Sequence, residues 1–141
     1  MTLLAPHPTD LPVRGRLFGA CSARDINLLR RRATEVTVAA GTVIHPADQG
    51  PKWVYIVMTG SAVSDDLGSS LILTAGDVHG ARSVLAGDDT CGALVALTEV
   101  TLLVLGRREF TSLLAQSAGI AHGVARLLAE RGPERSGRFS C

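Results

Sequence analysis

Short apolar runs, each broken after a few residues by turn-forming residues, fill the middle of the sequence from Glu35 to Leu105. They are EVTVAA, GTVIHPA, WVYIVMTG, SAVSDD, SSLILTAGD, GALVALTEV and TLLVLG. This spacing leaves room for strands but not for the helical crossovers that join parallel strands. It therefore predicts a mainly β fold, a sandwich or jelly-roll barrel of antiparallel strands.

Amphipathic segments lie on both sides of this β region. Ser22, followed three positions later by Asp25, forms a capping-box pattern at the start of a short helix, CSARDINLLRRRA. After the strands, RREFTSLLAQ and GIAHGVARLLAERG carry apolar residues at helical spacing. The last of these helices is expected to stop at Gly132 and Pro133.

The length of 141 residues is that of one domain. Residues 1–16 contain Pro6, Pro8 and Pro12 and are predicted to form an extended arm, residues 17–131 the domain, and residues 132–141 a flexible tail. We find no internal repeat and no second domain. Whether the chain is full length or an excised part of a longer protein is left open.

Charge and hydrophobicity limit the partners. The net charge is +1, so no strong field attracts DNA or an anionic membrane. The arginines are dispersed apart from Arg30-Arg31-Arg32 and the tail, and no helix-turn-helix motif is present. No apolar run is long enough to span a membrane, and the N-terminal residues lack the pattern of a signal peptide. We therefore expect a cytoplasmic protein without a DNA or membrane partner.

The sequence lacks the usual signatures of catalysis and metal binding. Its cysteines and histidines show no ligand spacing; they are Cys21, Cys91 and Cys141, and His7, His45, His79 and His122. There is no nucleophile elbow, dinucleotide fingerprint or phosphate-loop lysine. We predict that the protein is not an enzyme, holds no metal, needs no cofactor and keeps its cysteines as free thiols. Trp53 and Tyr55 lie in a strand and are expected to pack against neighbouring strands.

The order of these segments resembles the cyclic nucleotide-binding domain, the sensor module of catabolite activator-type regulators, cyclic-nucleotide-dependent kinases and gated channels. LFGACSARDINLL is similar to the opening helix of that family, and GTVIHPADQGPKWVYIVMTGSAV follows its pattern of glycine, isoleucine, tyrosine-isoleucine and glycine. LTAGDVHG resembles the entry to the phosphate cassette, and LTEVTLLVLGRREFTSLL the exit strands and next helix. The resemblance covers residues 17–131 and implies a β-roll, a double-stranded β-helix with flanking α-helices, enclosing a nucleotide pocket.

The phosphate cassette of this family implies a set of candidate ligand-binding residues. In the family a glycine is followed by a glutamate that binds the ribose 2′-hydroxyl, and the cassette closes with an arginine that pairs with the cyclic phosphate, then a small residue. Aligned without a gap, these positions are Gly80, Ala81, Thr90 and Cys91. Both charged ligands are therefore absent. The remaining contacts are expected from Gly80, Ala81, Ser83, Thr90 and Cys91, mostly through backbone amides, some of them at the start of a short helix.

Arg82 follows the missing glutamate, and two hypotheses apply to it. It either supplies the missing positive charge or extends into solvent, and the second is favoured because it follows the inward position. Cys91 likewise is either a reactive thiol within the cassette or a small buried residue.

Loss of the arginine has a calculable cost. A charge-assisted hydrogen bond contributes roughly 1.5 to 3 kcal/mol, which is about one to two powers of ten in affinity. Two functions remain open. The first is a regulatory sensor that binds cAMP or cGMP weakly if at all, with the last helix closing as a lid. The second is a degenerate domain that acts as a protein-interaction or dimerisation module. Another small anionic ligand, a protein partner and a homodimer all remain open.

Overall fold

The computed structural model describes residues 16–47, 52–66, 69–87 and 92–136. A 3₁₀ helix, Arg16–Ala20, comes first. The α-helices are α1 (Ala23–Arg32), α2 (Ala81–Ala86), α3 (Arg107–Gln116) and α4 (Ala118–Ser136). The strands are β1 (Thr34–Val38), β2 (Val43–His45), β3 (Trp53–Thr59), β4 (Ala62–Asp66), β5 (Ser69–Leu73), β6 (Val78–His79), β7 (Ala93–Ala96) and β8 (Val100–Gly106).

Two antiparallel four-stranded sheets form the centre of the domain. The first sheet has the order β1-β8-β3-β6 and the second the order β2-β7-β4-β5. Strands β3 and β8 pair along most of their length, from Trp53 opposite Gly106 to Thr59 opposite Thr101. This arrangement confirms the predicted mainly β fold with flanking helices.

The first sheet separates two cores. Alternate residues of β3, namely Val54, Ile56 and Met58, face the helices, whereas Tyr55 and Val57 face the second sheet. This division follows from the two-residue repeat of a strand. We call the first the helix-side core and the second the inter-sheet core.

The helix-side core is closed by the 3₁₀ helix, α1, α3 and α4. Leu17, Phe18 and Phe110 are fully buried in it. Gly123 of α4 brings that helix against the 3₁₀ helix, since an added Cβ there would lie 2.7 Å from the carbonyl oxygen of Leu17. The apolar stripe of α4, which includes Ile120 and Val124, is therefore part of the core of the domain itself.

A polar junction joins the starts of α1 and α4. Ser22 caps α1 as the sequence predicted: its Oγ accepts the amide of Asp25 at 3.2 Å, and Asp25 accepts the amide of Ser22 at 2.9 Å. The hydroxyl of Ser117 donates to Asp25 at 2.8 Å and accepts the amide of Ile120 at 3.0 Å. These bonds lower the pKa of Asp25, the Ser22 amide contributing most and the Ser117 hydroxyl next.

The arginine-rich end of α1 contacts the same domain. Arg30 forms a salt bridge with Glu35 at 2.9 Å. Arg32 donates to Ser112 at 3.1 Å and to Gln116 at 2.7 Å, both on α3. Two of the three adjacent arginines are therefore engaged within the domain.

One predicted helix boundary is wrong. α4 continues through Gly132 and Pro133 to Ser136. Proline has no backbone N–H, so Pro133 removes one hydrogen bond from α4, and the helix ends soon afterwards, at Ser136. The predicted arm lies outside the described residues except for Arg16, which begins the 3₁₀ helix. The domain limits inferred from the sequence stay predictions.

No helix among the described residues is both long and apolar enough to cross a membrane.

Cys21 is a free thiol whose Sγ donates to the carbonyl of Leu17 at 3.4 Å. Burial, with a smaller contribution from the charge of Asp25, raises the pKa of that thiol to about 11. Cys91 and Cys141 lie outside the described residues.

Candidate ligand-binding site

The turn from β6 into α2 requires glycine at position 80. Gly80 adopts the left-handed conformation, with φ of 96°, and its carbonyl accepts the amide of Val84 at 3.0 Å. A Cβ at this position would lie 2.6 Å from the carbonyl oxygen of Trp53 on β3. Because that obstacle is strand backbone, another residue fits only if the strand moves. The turn geometry thus depends on the glycine that the sequence singled out.

The neighbouring candidates occupy the six-residue helix α2. Ala81, at the position of the family's glutamate, is 2% exposed and packs in the helix-side core, so it offers no polar side chain. Ser83 is fully buried. Arg82 is partly exposed and forms no hydrogen bond or salt bridge within the described part of the chain. The structure therefore brings Gly80, Ala81, Arg82 and Ser83 together on one turn and a short helix.

The other end of the cassette is not described. Thr90 and Cys91, at the positions of the family's arginine and following small residue, lie outside the described residues. Their contribution to a ligand site stays a prediction.

A group of buried polar side chains lies beside this turn, in the inter-sheet core. It consists of His45, Tyr55, Ser64 and His79, which are 3%, 7%, 6% and 2% exposed. The ring centroids of His45 and His79 are 5.9 Å apart, those of His45 and Tyr55 6.0 Å, and those of Tyr55 and His79 6.1 Å. The Nδ1 atom of His79 lies 3.3 Å from the Oγ of Ser64. We refer to these four residues as the inter-sheet polar cluster.

Both sheets contribute to this cluster. Tyr55 on β3 pairs with His79 on β6 in the first sheet. In the second sheet His45 and Ser64 lie on either side of Leu94, to which each is paired. The cluster therefore spans the space between the sheets, and through His79 it adjoins Gly80.

An irregularity in β2 directs His45 inward. Val43 and His45 are two residues apart and would face the same side of a regular strand. Instead Val43 is 57% exposed and His45 is 3% exposed. The pairing of β2 with β7 shifts register between these two residues, which is how a β-bulge redirects a side chain.

The electrostatics of the cluster follow from burial. Desolvation raises the pKa of the Tyr55 hydroxyl, so the phenol stays neutral at physiological pH. No group of three or more histidine, cysteine or acidic side chains among the described residues is placed to hold a metal ion. The cluster is thus suited to hydrogen bonding.

Sequence reasoning missed this cluster. The histidines are far apart in the chain, so the sequence does not predict that they meet. The contact of Tyr55 with His79 supports in part the predicted packing role of Tyr55. Trp53 is instead 47% exposed. His79 next to Gly80 in a strand was a local signal, but its proximity to His45 depends on the bulge, which the sequence does not reveal.

Several solved structures share this fold. The catabolite activator protein of Thermus thermophilus shares 26% identity with a TM-score of 0.68, and the match covers 83% of this chain and 58% of that one. The N-terminal domain of a transcriptional regulator from Streptomyces coelicolor A3(2) shares 27% identity with a TM-score of 0.62, covering 84% and 89%. A regulatory subunit of a cAMP-independent protein kinase A from Trypanosoma brucei shares 20% identity with a TM-score of 0.67, covering 84% and 42%.

The sequence comparison identifies the family. A family model described as the cyclic nucleotide-binding domain matches residues 35–117, which is more than half of the chain. No curated protein matches the chain in sequence. The chain therefore belongs to the cyclic nucleotide-binding domain family, whose members are regulatory and not catalytic, and the predicted resemblance is confirmed.

Proposed function

We propose that this chain is a small regulatory sensor domain that binds a cyclic nucleotide weakly, and that it has no catalytic activity of its own. The observation that carries the proposal is the turn at Gly80. Its left-handed backbone is packed against the carbonyl of Trp53 and leads into a short helix, as the phosphate cassette of the family requires. The described start of the cassette, Gly80 and α2, supports the proposal although Ala81 stands at the position of the family's acidic residue.

Structures of similar fold support the class of ligand. One is a kinase regulatory domain with a chlorinated phosphorothioate analogue of cAMP bound, and another comes from work on a cyclic-GMP-dependent signalling pathway. A cytoplasmic location belongs to this proposal, as does action through a partner or a homodimer. The candidate contacts are Gly80, Ala81, Ser83, Thr90 and Cys91, with Arg82 directed to solvent.

Calorimetric titration of the domain with cAMP and cGMP at near-millimolar ligand tests this proposal, with 5′-AMP as the acyclic control. We expect saturable heat with a cyclic nucleotide and less with 5′-AMP. Absence of heat and of a thermal shift with both cyclic nucleotides would refute the proposal. Arg82→Ala is expected to leave the affinity unchanged, and a loss of about tenfold would show that Arg82 supplies the missing charge.

A second candidate is a degenerate domain that keeps the fold without the ligand and binds another protein. It is favoured by one observation: Ala81 is buried among apolar side chains, so the ribose acceptor of the family is not replaced at that position. Such a partner would not use the apolar stripe of α4, because Ile120, Val124 and Leu127 are buried in the helix-side core. The same titration separates the two candidates, since a degenerate domain binds neither nucleotide.

A further inference from the structure

The outer face of the second sheet carries an apolar row that crosses its four strands. The members of this row are β-branched and are paired in turn across neighbouring strands: Val43 on β2, Val95 on β7, Val63 on β4 and Ile72 on β5. Their sequence neighbours on β4 and β7 are buried, so the row faces away from the inter-sheet core. Its two end members, Val43 and Ile72, are 57% and 60% exposed. The row therefore reaches the edge of the sheet at β5 with an exposed side chain.

The strands at the sheet edges differ in how they are protected. An edge strand presents unpaired N–H and C=O groups to other chains, and proteins discourage such pairing with short strands, charges and bulges. Among the described residues, β6 is two residues long, β2 is three residues long with a register shift, and β1 carries Glu35. Strand β5 has none of these protections. Its five residues, Ser69–Leu73, are uncharged, include no proline and pair with β4 in regular register.

The backbone of β5 is open on the side away from β4. A strand in an antiparallel pair directs alternate backbone groups to its neighbour and the others outward. Within the described part of the chain, Leu71, Ile72 and Leu73 form no backbone hydrogen bond beyond the ladder with β4. The amide of Thr74, which follows, donates to the carboxylate of Asp77 at 2.9 Å. The open edge is therefore the length of β5 itself.

The residues of β5 allow this edge to pair with itself. Antiparallel pairing of two identical strands is two-fold symmetric, so each residue meets a fixed partner in the other copy. With Ile72 opposite its counterpart, Leu71 meets Leu73 and Ser70 meets Thr74. No charged side chain of one β5 then lies opposite a like charge of the other.

The charge beside β5 is also compatible with a second copy. Asp65 on β4 accepts a hydrogen bond from the hydroxyl of Ser70 at 3.4 Å. In the two-fold pairing centred on Ile72, the two Asp65 residues are three strand spacings apart across the sheet and four residues apart along it, which is about 20 Å. That separation exceeds the Debye length of about 8 Å at physiological ionic strength. Repulsion between these carboxylates therefore does not oppose the pairing.

We propose that the free edge of β5 pairs with the same edge of a second copy of this chain, antiparallel and centred on Ile72. The pairing joins two four-stranded sheets into one continuous sheet and brings the two apolar rows end to end. Because so short an edge buries less than the roughly 1,200 Å² of a stable interface, the dimer is weak and depends on concentration. The inference goes beyond the proposed function, since it does not require a nucleotide.

Sedimentation velocity of the whole chain under reducing conditions, from about 10 μM to about 1 mM, measures this dimerisation. We expect the dimer fraction of the unaltered chain to rise over this range. Ile72→Lys places two ammonium groups directly opposite each other, so we expect dimerisation about tenfold weaker or more. Val43→Lys is the matched control, because it adds the same charge at a similarly exposed position at the other end of the apolar row. It should dimerise as the unaltered chain does.

A mixture of two variants tests the register. Ile72→Glu alone should weaken dimerisation as Ile72→Lys does, because position 72 faces itself. In an equal mixture of Ile72→Lys and Ile72→Glu the opposed charges attract, so we expect a heterodimer that forms more readily than either homodimer. Thermal unfolding of each variant verifies that it is folded.

The outcomes separate this interface from others. Equal weakening by Ile72→Lys and Val43→Lys would place the contact on the face of the sheet and overturn the inference. A dimer unaffected by Ile72→Lys, a mixture that stays monomeric, or an unaltered chain that is monomeric up to about 1 mM would overturn it as well. The proposed function is tested separately, by the nucleotide titration.

Discussion

The two cores on either side of the first sheet are built from different residues. The helix-side core is built from large apolar side chains, with Leu17, Phe18 and Phe110 fully buried in it. The inter-sheet core is apolar along most of its length but contains His45, Ser64 and His79 beside Tyr55. The comparison predicts that substitutions in the helix-side core cost more stability than substitutions in the inter-sheet polar cluster.

The largest expected effect comes from the helix-side core. Phe110→Ala removes a fully buried ring and should lower the free energy of unfolding by about 3–5 kcal/mol, because a cavity remains where the ring was. Urea denaturation measures the loss. Leu85→Ala, at a position that is 44% exposed, is the control and should change stability by about 0.5 kcal/mol or less. Equal losses in the two variants would contradict the assignment of stability to this core.

The turn at the boundary of the two cores should give the next largest effect. Gly80→Ala combines left-handed strain with a clash against the carbonyl of Trp53, so we expect a loss of roughly 2–4 kcal/mol. Gly87 also has a positive φ, of 72°, but a Cβ there meets nothing within 4 Å. Gly87→Ala should therefore cost only about 1 kcal/mol, and thermal unfolding compares the two. A Gly80→Ala variant no less stable than Gly87→Ala would show that the close approach to Trp53 is unimportant.

A smaller effect is expected at the junction of α1 and α4. Ser117→Ala removes the hydroxyl that donates to Asp25 and should cost about 1 kcal/mol near neutral pH. The pKa of Asp25 in the folded state is lowered from its ordinary value of 3.8. The stability due to this carboxylate is therefore present above pH 3.8 and is lost as the pH falls through the folded-state pKa.

Urea denaturation of Ser117→Ala and of the unaltered chain, at about pH 6 and about pH 2.5, measures this dependence. The difference between the two proteins should be smaller at the lower pH. Thr111→Ala, an exposed change in α3 that removes a hydroxyl bonded to the backbone carbonyl of Arg107, is the control and should show no such narrowing. A difference that is the same at both pH values would refute the role of Asp25.

The smallest stability effect is predicted in the inter-sheet polar cluster. Ser64→Ala combined with His79→Phe removes both members of the hydrogen bond between these side chains, so we expect a smaller loss than in Phe110→Ala, about 1–2 kcal/mol in the free energy of unfolding. Urea denaturation of this double variant is compared with that of Phe110→Ala. A loss as large as that of Phe110→Ala would give the cluster a structural role and remove the contrast between the cores.

Much of the fold followed from local sequence. The strand runs between Glu35 and Leu105, the Ser22 cap and the helices after β8 depend on short-range pattern and were predicted. The end of α4 was misjudged because the sequence alone does not reveal how far a helix continues past a proline near its end.

The candidate site was only partly predictable. Gly80 was identified from the resemblance, and the structure supplies its physical reason in the carbonyl of Trp53. The proximity of His45 and His79 was not predictable, because it combines a register shift in β2 with the packing of two sheets. Contacts between distant strands of this kind leave no periodic signal in the sequence.

The most direct measurement is a calorimetric comparison of the unaltered chain with Thr90→Arg in cAMP. The Trypanosoma brucei kinase subunit described as cAMP-independent is also known as a triple mutant with cAMP bound, and one of its three changes is threonine to arginine. If the cassette is an intact frame that lacks its cation, Thr90→Arg should tighten cAMP binding by about ten- to a hundredfold. Thr111→Arg, an exposed change on α3, adds the same charge elsewhere and should have no effect. Failure of both the unaltered chain and Thr90→Arg to bind would contradict the account, and the domain would then be a fold that has lost its ligand.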